Sequence, residues 1–334
     1  MRETQCPSES WCDSFTMADQ VPSIELGNGG NMPYIGLGTF KTKDCEMRES
    51  LRVALECGYR HVDTATFYQN EDAIGEVLQE WLASGKVTRE EVFITTKLPR
   101  IGNRAGDVAR FLQKSLEKLR VSYVDLYLFH HPVGAIGKDD DDLSPVDSEG
   151  NSINDPDTDL ESVWKAIEEQ VDAGRARNIG LSNFNIVQIE RILKVCRIRP
   201  ANLQVEVHAY HQQRDLRALC HKHGISVCAF GPLGAPYMAD GAGERPVLLE
   251  HPKVVSIANR LARTPAQVLL RFLIQLGMAV IPKSSNPDRI RQNFQVFDFE
   301  LSTEDMSSLE DLDCGKEGKI FTMEFSKSHP ECPF

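Results

Sequence analysis

The sequence predicts an α/β fold, a (β/α)8 TIM barrel with an N-terminal β-hairpin that plugs the bottom of the barrel. Short β-branched runs alternate with longer amphipathic runs along the 334 residues. Eight short runs can be counted, which fits a closed barrel better than the alternative, an open doubly wound sheet. Several of the longer runs stop at a glycine, a common signal at helix C-termini. These glycines are Gly58, Gly85, Gly174, Gly224 and Gly277.

The elements follow in chain order. The stretch SIELGNGGNMPYI turns at Gly27 to Gly30 and predicts the hairpin. The strand candidates are YIGLGTF, RHVDTA, VFITTK, VDLYLFH, NIGLSN, NLQVEV, SVCAFGP and AVIPK. The helical patterns are CEMRESLRVALECG, EDAIGEVLQEWLASG, AGDVARFLQKSLEKL, DLESVWKAIEEQVDAG, IVQIERILKVC, RDLRALCHKHG, two helices over about 250–277 and a last helix from Pro287.

The domain organisation is simple. We expect residues 1–20 to be a disordered tail and residues 21–334 to form a single barrel domain. Residues 133–157 predict a long polar loop after the fourth strand, and its KDDDD run is most simply a solvated surface. Long loops at the C-terminal face of a barrel also tend to border substrate, so this loop is of interest.

The composition limits the partners. A net charge of −12 and a pI near 5.3 disfavour a nucleic-acid partner, which needs clusters of Lys and Arg. No run approaches the ~18 apolar residues that a membrane span requires. Nine cysteines are scattered without a CxxC pair, which is typical of reduced thiols in the cytoplasm. We therefore expect a cytoplasmic protein that acts on a small molecule.

Polar residues stand at the ends of three neighbouring predicted strands. Asp63 ends the second strand, Lys97 ends the third, and His130 ends the fourth, while Tyr68 follows Asp63 by five residues. Active sites of such barrels lie at this end of the strands. A lysine beside a phenol favours the phenolate, so we expect the pKa of Tyr68 to fall and Tyr68 to serve as a general acid. The alternative is a structural ion pair with a bystanding tyrosine.

Two further motifs bear on metals and anions. His130 and His131 are adjacent, and adjacent strand residues point to opposite faces, so we expect that they do not share a metal ion. No GxGxxG follows the first strand, but KSSNPDR follows the eighth. In that motif Asn286 predicts a helix N-cap, and Lys283 and Arg289 add positive charge beside free backbone N–H groups. The alternative there is an ordinary capped helix.

Six separated motifs, taken together, closely resemble the aldo-keto reductase superfamily from about residue 23 to residue 319. They are GLGTF, YRHVDTATFYQNE, VFITTKL, DLYLFHHP, NIGLSNFN and IPKSSNPDRIRQNFQVFDFELS. The resemblance implies that Tyr68 donates a proton to a carbonyl oxygen while a nicotinamide supplies hydride. It also implies that Lys97 tunes Tyr68, Asp63 holds Lys97, and His130 orients the carbonyl.

The resemblance further implies NADPH as the cofactor. Two cations beside a 2′-phosphate favour NADPH over NADH, which carries no charge there. A phenylalanine, Phe230, stands where relatives usually stack a tyrosine on the nicotinamide, and its π-face should serve equally. The expected cofactor-binding residues are Thr39, Ser182, Asn183, Gln204, Phe230, Gly231, Leu233, Lys283, Ser284, Asn286, Arg289, Gln292 and Asn293.

The chain departs from the family pattern around the substrate. Phe40, Pro99 and His131 stand where many relatives have tryptophans, so we expect a less aromatic pocket. Aromatic residues after Gly315 either close that pocket or pack on the barrel. The expected substrate-binding residues are Phe40, Tyr68, His130 and His131.

These expectations combine into one leading hypothesis. It is a cytoplasmic, monomeric, NADPH-dependent reductase of an aldehyde or ketone, with steroid-like ketones among the possible substrates, and with no metal. The alternative is a catalytically silent barrel that binds NADPH as a subunit or sensor.

Overall fold

The computed structural model describes residues 21–236, 246–327 and 329–333, so the expected N-terminal tail lies outside the described residues. Within them, no helix is long and apolar enough to cross a bilayer. In chain order the strands are β1 (Ser23–Glu25), β2 (Asn31–Pro33), β3 (Leu37–Gly38), β4 (His61–Asp63), β5 (Phe93–Leu98), β6 (Val124–Phe129), β7 (Gly134–Ala135), β8 (Asn154–Asp155), β9 (Ala176–Ser182), β10 (Asn202–Glu206), β11 (Ser226–Phe230) and β12 (Ala279–Val280).

Eight of these strands form the barrel. Their order is β3-β4-β5-β6-β9-β10-β11-β12, and every neighbouring pair is parallel. Parallel bridges from Ile35 to Val280 and from Gly38 to Lys283 join the first strand region to the last. The sheet therefore closes, which excludes the open doubly wound alternative and confirms the predicted barrel.

Helices follow the barrel strands, as the amphipathic runs predict. Gly58, Gly85, Gly174, Gly224 and Gly277 each lie two residues beyond a helix and have positive φ, the conformation that ends a helix most easily in glycine. The helices are α1 (Asp44–Glu56), α2 (Glu71–Ala83), α3 (Val108–Leu119), α4 (Leu160–Asp172), α5 (Ile186–Val195), α6 (Arg214–Lys222), α7 (Pro252–Leu261), α8 (Pro265–Gln275), α9 (Pro287–Phe294) and α10 (Thr303–Glu310).

Helix α10 is a difference from the sequence prediction, which ended with the helix at Pro287. The missed signal is a capping box: Ser302 accepts from the backbone N–H of Asp305, and the Asp305 carboxylate accepts from the backbone N–H of Ser302. Such a reciprocal pair satisfies two N–H groups that a helix start otherwise leaves open. The pattern is therefore readable in the sequence.

The predicted hairpin is present, with β1 and β2 pairing antiparallel. Its Leu26 and Met32 are buried, and they belong to a hydrophobic cluster with barrel residues such as Phe93, Leu126 and Ala201. Phe93 begins β5, and Ala201 directly precedes β10. The hairpin therefore packs against buried side chains of the barrel, and its role as a plug stays a prediction.

An ion cluster around the buried Asp125 lies near the start of β6, and we call it the lower ion cluster. Asp125 accepts from Arg89 at 2.7 Å and from the backbone N–H of Ile94 at 3.0 Å, while Arg177 lies 3.5 Å away. Both guanidinium groups also stack on the ring of Tyr123. Every charge in this cluster has an opposite partner within the fold.

The polar stretch after β6 is more ordered than a plain loop. Strands β7 and β8 form a small antiparallel sheet, and Arg104 binds the buried Asp155 carboxylate with two hydrogen bonds of 2.7 and 2.9 Å. Gly134 lies so close to Thr158 that a Cβ would approach its hydroxyl to 2.4 Å. Polar composition alone did not reveal this sheet because its two strands have only two residues each.

Candidate active site

The buried polar residues at the C-terminal ends of β4 and β5 form one cluster, which we call the upper ion cluster. The Lys97 Nζ donates to Asp63 Oδ1 at 2.6 Å, to the Thr64 carbonyl at 2.9 Å and to the Tyr68 hydroxyl at 3.2 Å. Lys97 has no exposed surface. The contact between Lys97 and Asp63 follows from the strand pairing. Asp63 lies opposite Thr95 on β5, and Lys97 lies two residues further along that strand.

The electrostatics of this cluster differ in part from the sequence prediction. Burial lowers the pKa of Lys97, but the attraction of Asp63 and Tyr68 together outweighs it, so the pKa is raised and Lys97 stays charged. For Tyr68, burial is the largest effect and raises the pKa above its ordinary 10.0, while Lys97 opposes it. The expected fall in the pKa of Tyr68 is therefore not found. Tyr68 keeps its proton at neutral pH.

His130 and His131 lie side by side rather than on opposite faces. Strand β6 ends at Phe129, so neither residue follows the alternation of a strand, and the two rings stack with centroids 4.4 Å apart. The prediction of opposite faces is wrong for this reason. Burial, and then neighbouring charges, hold the pKa of His130 well below 6.5 and that of His131 at about 3. Both imidazoles are therefore neutral.

No group of three or more His, Cys, Asp or Glu side chains among the described residues has the arrangement of a metal site. The rings instead face aromatic neighbours, with His130 5.8 Å from Tyr68 and His131 5.5 Å from Phe325.

A cavity of about 950 Å³ opens above the upper ion cluster. Lys97 lies behind its wall and does not line it, whereas Asp63, Tyr68 and His130 do. The remaining residues that the sequence assigned to cofactor or substrate all line the same cavity: Thr39, Phe40, His131, Ser182, Asn183, Gln204, Phe230, Gly231, Leu233, Lys283, Ser284, Asn286, Arg289, Gln292 and Asn293.

Comparison with known proteins identifies the family of this chain. The sequence model of the Aldo/keto reductase family matches residues 26–313. The chain belongs to the aldo-keto reductase family. It is 45% identical to aldo-keto reductase family 1 member A1 of Mus musculus, over 87% of this chain and 89% of the relative. It is 40% identical to aldo-keto reductase family 1 member C18 of Rattus norvegicus, over 95% and 99%.

A solved structure agrees. The aldose reductase from Schistosoma japonicum superposes with a TM-score of 0.86 at 42% identity, covering 94% of this chain and 98% of that one. This aldo-keto reductase is therefore an oxidoreductase, and membership of the family implies carbonyl reduction with a nicotinamide cofactor.

Three residues expected to bind the cofactor also make contacts within the protein. Gln204 donates its amide to Asp63 Oδ2 at 2.6 Å, which joins it to the upper ion cluster. The Thr39 hydroxyl donates to the Asp63 carbonyl, and Asn183 donates its amide to the His130 carbonyl at 2.9 Å. These bonds hold the polar wall of the cavity in place. Sequence reasoning did not find the bond to Gln204 because 141 residues separate it from Asp63.

The start of helix α9 matches its prediction only in part. Asn286 is the N-cap and accepts from the backbone N–H of Arg289 at 2.9 Å, and Pro287 occupies the first turn. The cap consumes one of the N–H groups that were expected to face an anion. The side chains of Lys283 and Arg289 line the cavity, and neither is paired with an acidic residue in the described part of the chain. The positive charge here therefore comes mainly from side chains.

The C-terminal segment forms one wall of the cavity. Glu206, at the end of β10, accepts from the backbone N–H groups of Ile320 and Phe321 at 2.7 and 3.1 Å. Phe321 packs edge-on against Phe230 at 5.3 Å, and Phe325 lines the cavity near His131. Both predicted alternatives are therefore seen in part, since Phe321 and Phe325 line the cavity and Phe321 also packs on the barrel residue Phe230.

Pro99, one of the three residues that stand where many relatives have tryptophan, lines neither this cavity nor a second one beside it. It caps a short 3-10 turn, Arg100–Gly102, which brings Arg100 to the second cavity. Phe40 lines the first cavity with its ring 5.1 Å from Tyr68.

Proposed function

We propose that this protein is an NADPH-dependent reductase that converts an aldehyde or ketone to the alcohol, with Tyr68 as the proton donor. The observation that carries the proposal is the upper ion cluster. A buried lysine lies 3.2 Å from the Tyr68 hydroxyl, and Tyr68 and His130 line one cavity with the residues suited to a cofactor.

The cavity has polar and charged groups that fit NADPH. Lys283 and Arg289 offer two cations without acidic partners among the described residues, which suits a 2′-phosphate. Ser182, Asn183 and Gln204 offer hydroxyl and amide groups for the nicotinamide carboxamide, and Phe230 offers an aromatic face. When bound, the nicotinamide supplies hydride to the carbonyl carbon.

The chain's own residues would manage the charge on oxygen. The Tyr68 hydroxyl donates a hydrogen bond to the carbonyl oxygen and releases its proton as negative charge develops there. Neutral His130 donates a second hydrogen bond and fixes the carbonyl's orientation. The Lys97 ammonium then stabilises the Tyr68 phenolate, and Asp63 keeps the ammonium in position from the other side.

The test of catalysis is reduction of an aldehyde and ketone panel, including a ketosteroid, followed by NADPH absorbance. We expect Tyr68→Phe to lower kcat by about 10²–10⁴-fold with NADPH binding retained, because only the transferable proton is lost. An equally active Tyr68→Phe would contradict the mechanism. Tight NADPH binding by a wild type that turns over no carbonyl would instead favour the silent subunit or sensor.

The test of cofactor choice is Arg289→Ala. We expect the KM for NADPH to rise about tenfold or more, since a charge-assisted hydrogen bond is lost, and the KM for NADH to change little. Equal losses for the two cofactors would remove the phosphate-binding role of this end of the cavity.

The cellular setting completes the proposal. We propose a cytoplasmic monomer. The cytoplasmic setting has support from six cysteines of the described residues that are free thiols: Cys45, Cys57, Cys196, Cys220, Cys228 and Cys314. Light scattering of the purified protein measures the oligomeric state, and a mass near twice 37.5 kDa would contradict it.

A further inference from the structure

A second cavity of about 560 Å³ adjoins the first, and its most unusual lining residue is Arg100. The two cavities share Phe67, His130, His131 and Phe325 as walls, so the second cavity lies directly beside the His130 end of the first. Only 8% of Arg100 is exposed. A buried cation at the edge of a reaction site needs an explanation, because desolvation of charge is costly.

Arg100 is bonded only to neutral groups. Its guanidinium donates to the Val133 carbonyl at 3.2 Å, the Gly134 carbonyl at 3.3 Å, the Ser152 hydroxyl at 3.2 Å and the Asn154 side-chain carbonyl. These bonds use four of its five N–H groups and leave one on Nη1. No Asp or Glu of the described residues pairs with it, and burial alone lowers its pKa, to about 10, so it remains a cation at neutral pH.

Anchoring the loop after β6 accounts for the four hydrogen bonds of Arg100 but not for a buried cation that has no carboxylate partner among the described residues. Arg104 already anchors the same loop through its two bonds to Asp155, and there the cation has a carboxylate partner. The contrast between Arg100 and Arg104 shows that the loop can be held by a paired arginine. The uncompensated charge of Arg100 is therefore available to a ligand.

The surroundings indicate what the ligand is. Of the other charged residues lining the cavity, Glu324 and Lys327 pair at 2.5 Å, so one net positive charge remains on Arg100. His131 is neutral and adds none. A single net charge suits a monoanion better than a dianionic phosphate. Ser144, Asn151 and Ser152 line the same cavity. The Ser152 hydroxyl already accepts from Arg100, and the Asn151 amide donates to Asp147, so Arg100 is the main group offered to an anion.

The route from the carbonyl to this charge is flat and aromatic. The His131 ring stacks on His130 and meets the edge of Phe325, and the Arg100 guanidinium lies 4.1 Å from the centroid of the Phe325 ring. These rings contact one another directly, so an aromatic or extended apolar spacer would pack along the row of rings. We propose that Arg100 is a specificity-determining residue that binds the carboxylate of a substrate whose carbonyl lies at Tyr68 and His130. This inference rests on the proposed function.

The experiment compares two aromatic aldehydes of similar size, 4-carboxybenzaldehyde and the neutral 4-formylbenzamide. We expect kcat/KM of the wild type to favour the carboxylate by about tenfold or more, and Arg100→Met to reduce that ratio by about ten- to a hundredfold. Arg100→Lys, which keeps the charge but loses the planar fork, should retain part of the preference.

Arg104→Met is the matched control. It loosens the same loop and should lower Tm, yet it should leave the substrate ratio unchanged. Three outcomes would each overturn the inference. The wild type could show a kcat/KM ratio near one for the two aldehydes, or Arg100→Met could leave that ratio unchanged. The third is a fall of the ratio in Arg104→Met as large as in Arg100→Met.

Reduction of 4-formylbenzamide tests the proposed function separately, and its persistence in Arg100→Met shows that this variant is folded. Calorimetric binding of the alcohols 4-(hydroxymethyl)benzoate and 4-(hydroxymethyl)benzamide measures the same preference without turnover. A preference in binding without any reduction would overturn the proposed function but leave Arg100 as a carboxylate site. Equal binding of the two alcohols would overturn the site.

Discussion

The barrel holds two ion clusters, each built around a buried aspartate, that have similar contacts but differ in their surroundings. In the lower ion cluster, Asp125 has two arginines and a backbone N–H, and none of these groups borders either cavity. In the upper ion cluster, Lys97 donates to Asp63 and also to Tyr68, which lines the cavity. A buried ion pair alone therefore does not indicate catalysis. Its position at the C-terminal end of the strands, beside a transferable proton, does.

Lys97→Met should have the largest effect of the variants that test the difference between the two clusters. We expect kcat to fall by about 10³-fold or more, since the charge that stabilises the Tyr68 phenolate is lost. We also expect unfolding to become easier by about 3–5 kcal/mol, because Asp63 is left buried without its partner. Steady-state kinetics and urea unfolding measure the two effects. A near-normal kcat in Lys97→Met would mean that the upper cluster, like the lower one, contributes to stability and not to the reaction.

Arg89→Met is the matched change in the lower ion cluster. We expect a loss of about 2–3 kcal/mol in the free energy of unfolding, because Asp125 keeps only Arg177 and the Ile94 N–H. The kcat should stay within about twofold of the wild type, since no group near the cavity changes. A large fall in kcat without loss of stability would show that the lower cluster acts on the reaction.

Gln204→Leu sharpens the comparison within the upper cluster. The second oxygen of Asp63 loses its 2.6 Å partner, while the bond from Lys97 remains. We expect kcat to fall about tenfold, in line with one hydrogen bond to a charged group, and stability to change by less than in Lys97→Met. An unchanged kcat would mean that Gln204 does not position the carboxylate.

The pH profile should show the smallest effect. Burial, with other causes, sets the pKa of Tyr68 above 10.0, that of His130 well below 6.5 and that of His131 at about 3. A general acid loses activity as pH rises through its pKa, so reduction should vary less than about twofold from pH 6 to 9 and decline above 10. A decline centred near pH 8 would show that Lys97 outweighs burial in the working enzyme, as the sequence had suggested.

Much of the site could be predicted because barrels place function at strand ends, where Asp63, Lys97 and His130 break apolar runs. The resemblance supplied the cofactor residues, and the structure brings all of them to one cavity. What they do there remains a proposal.

Other features needed three-dimensional information. The stack of His130 on His131 depends on β6 ending at Phe129. The turn that follows β5 is the reason why Arg100, and not Pro99, lines the second cavity. A one-residue difference in where a strand or turn ends redirects a side chain, and sequence patterns do not resolve such boundaries.

The carboxylate of Glu206 leaves the substrate preference of this enzyme free to change in evolution. It holds the C-terminal wall through backbone N–H groups of Ile320 and Phe321, which any non-proline residue supplies. The side chains on that wall, Phe321 and Phe325 among them, can therefore be exchanged without releasing the anchor. New substrate preferences can arise by substitution in a short stretch of chain while the barrel and Tyr68 stay as they are.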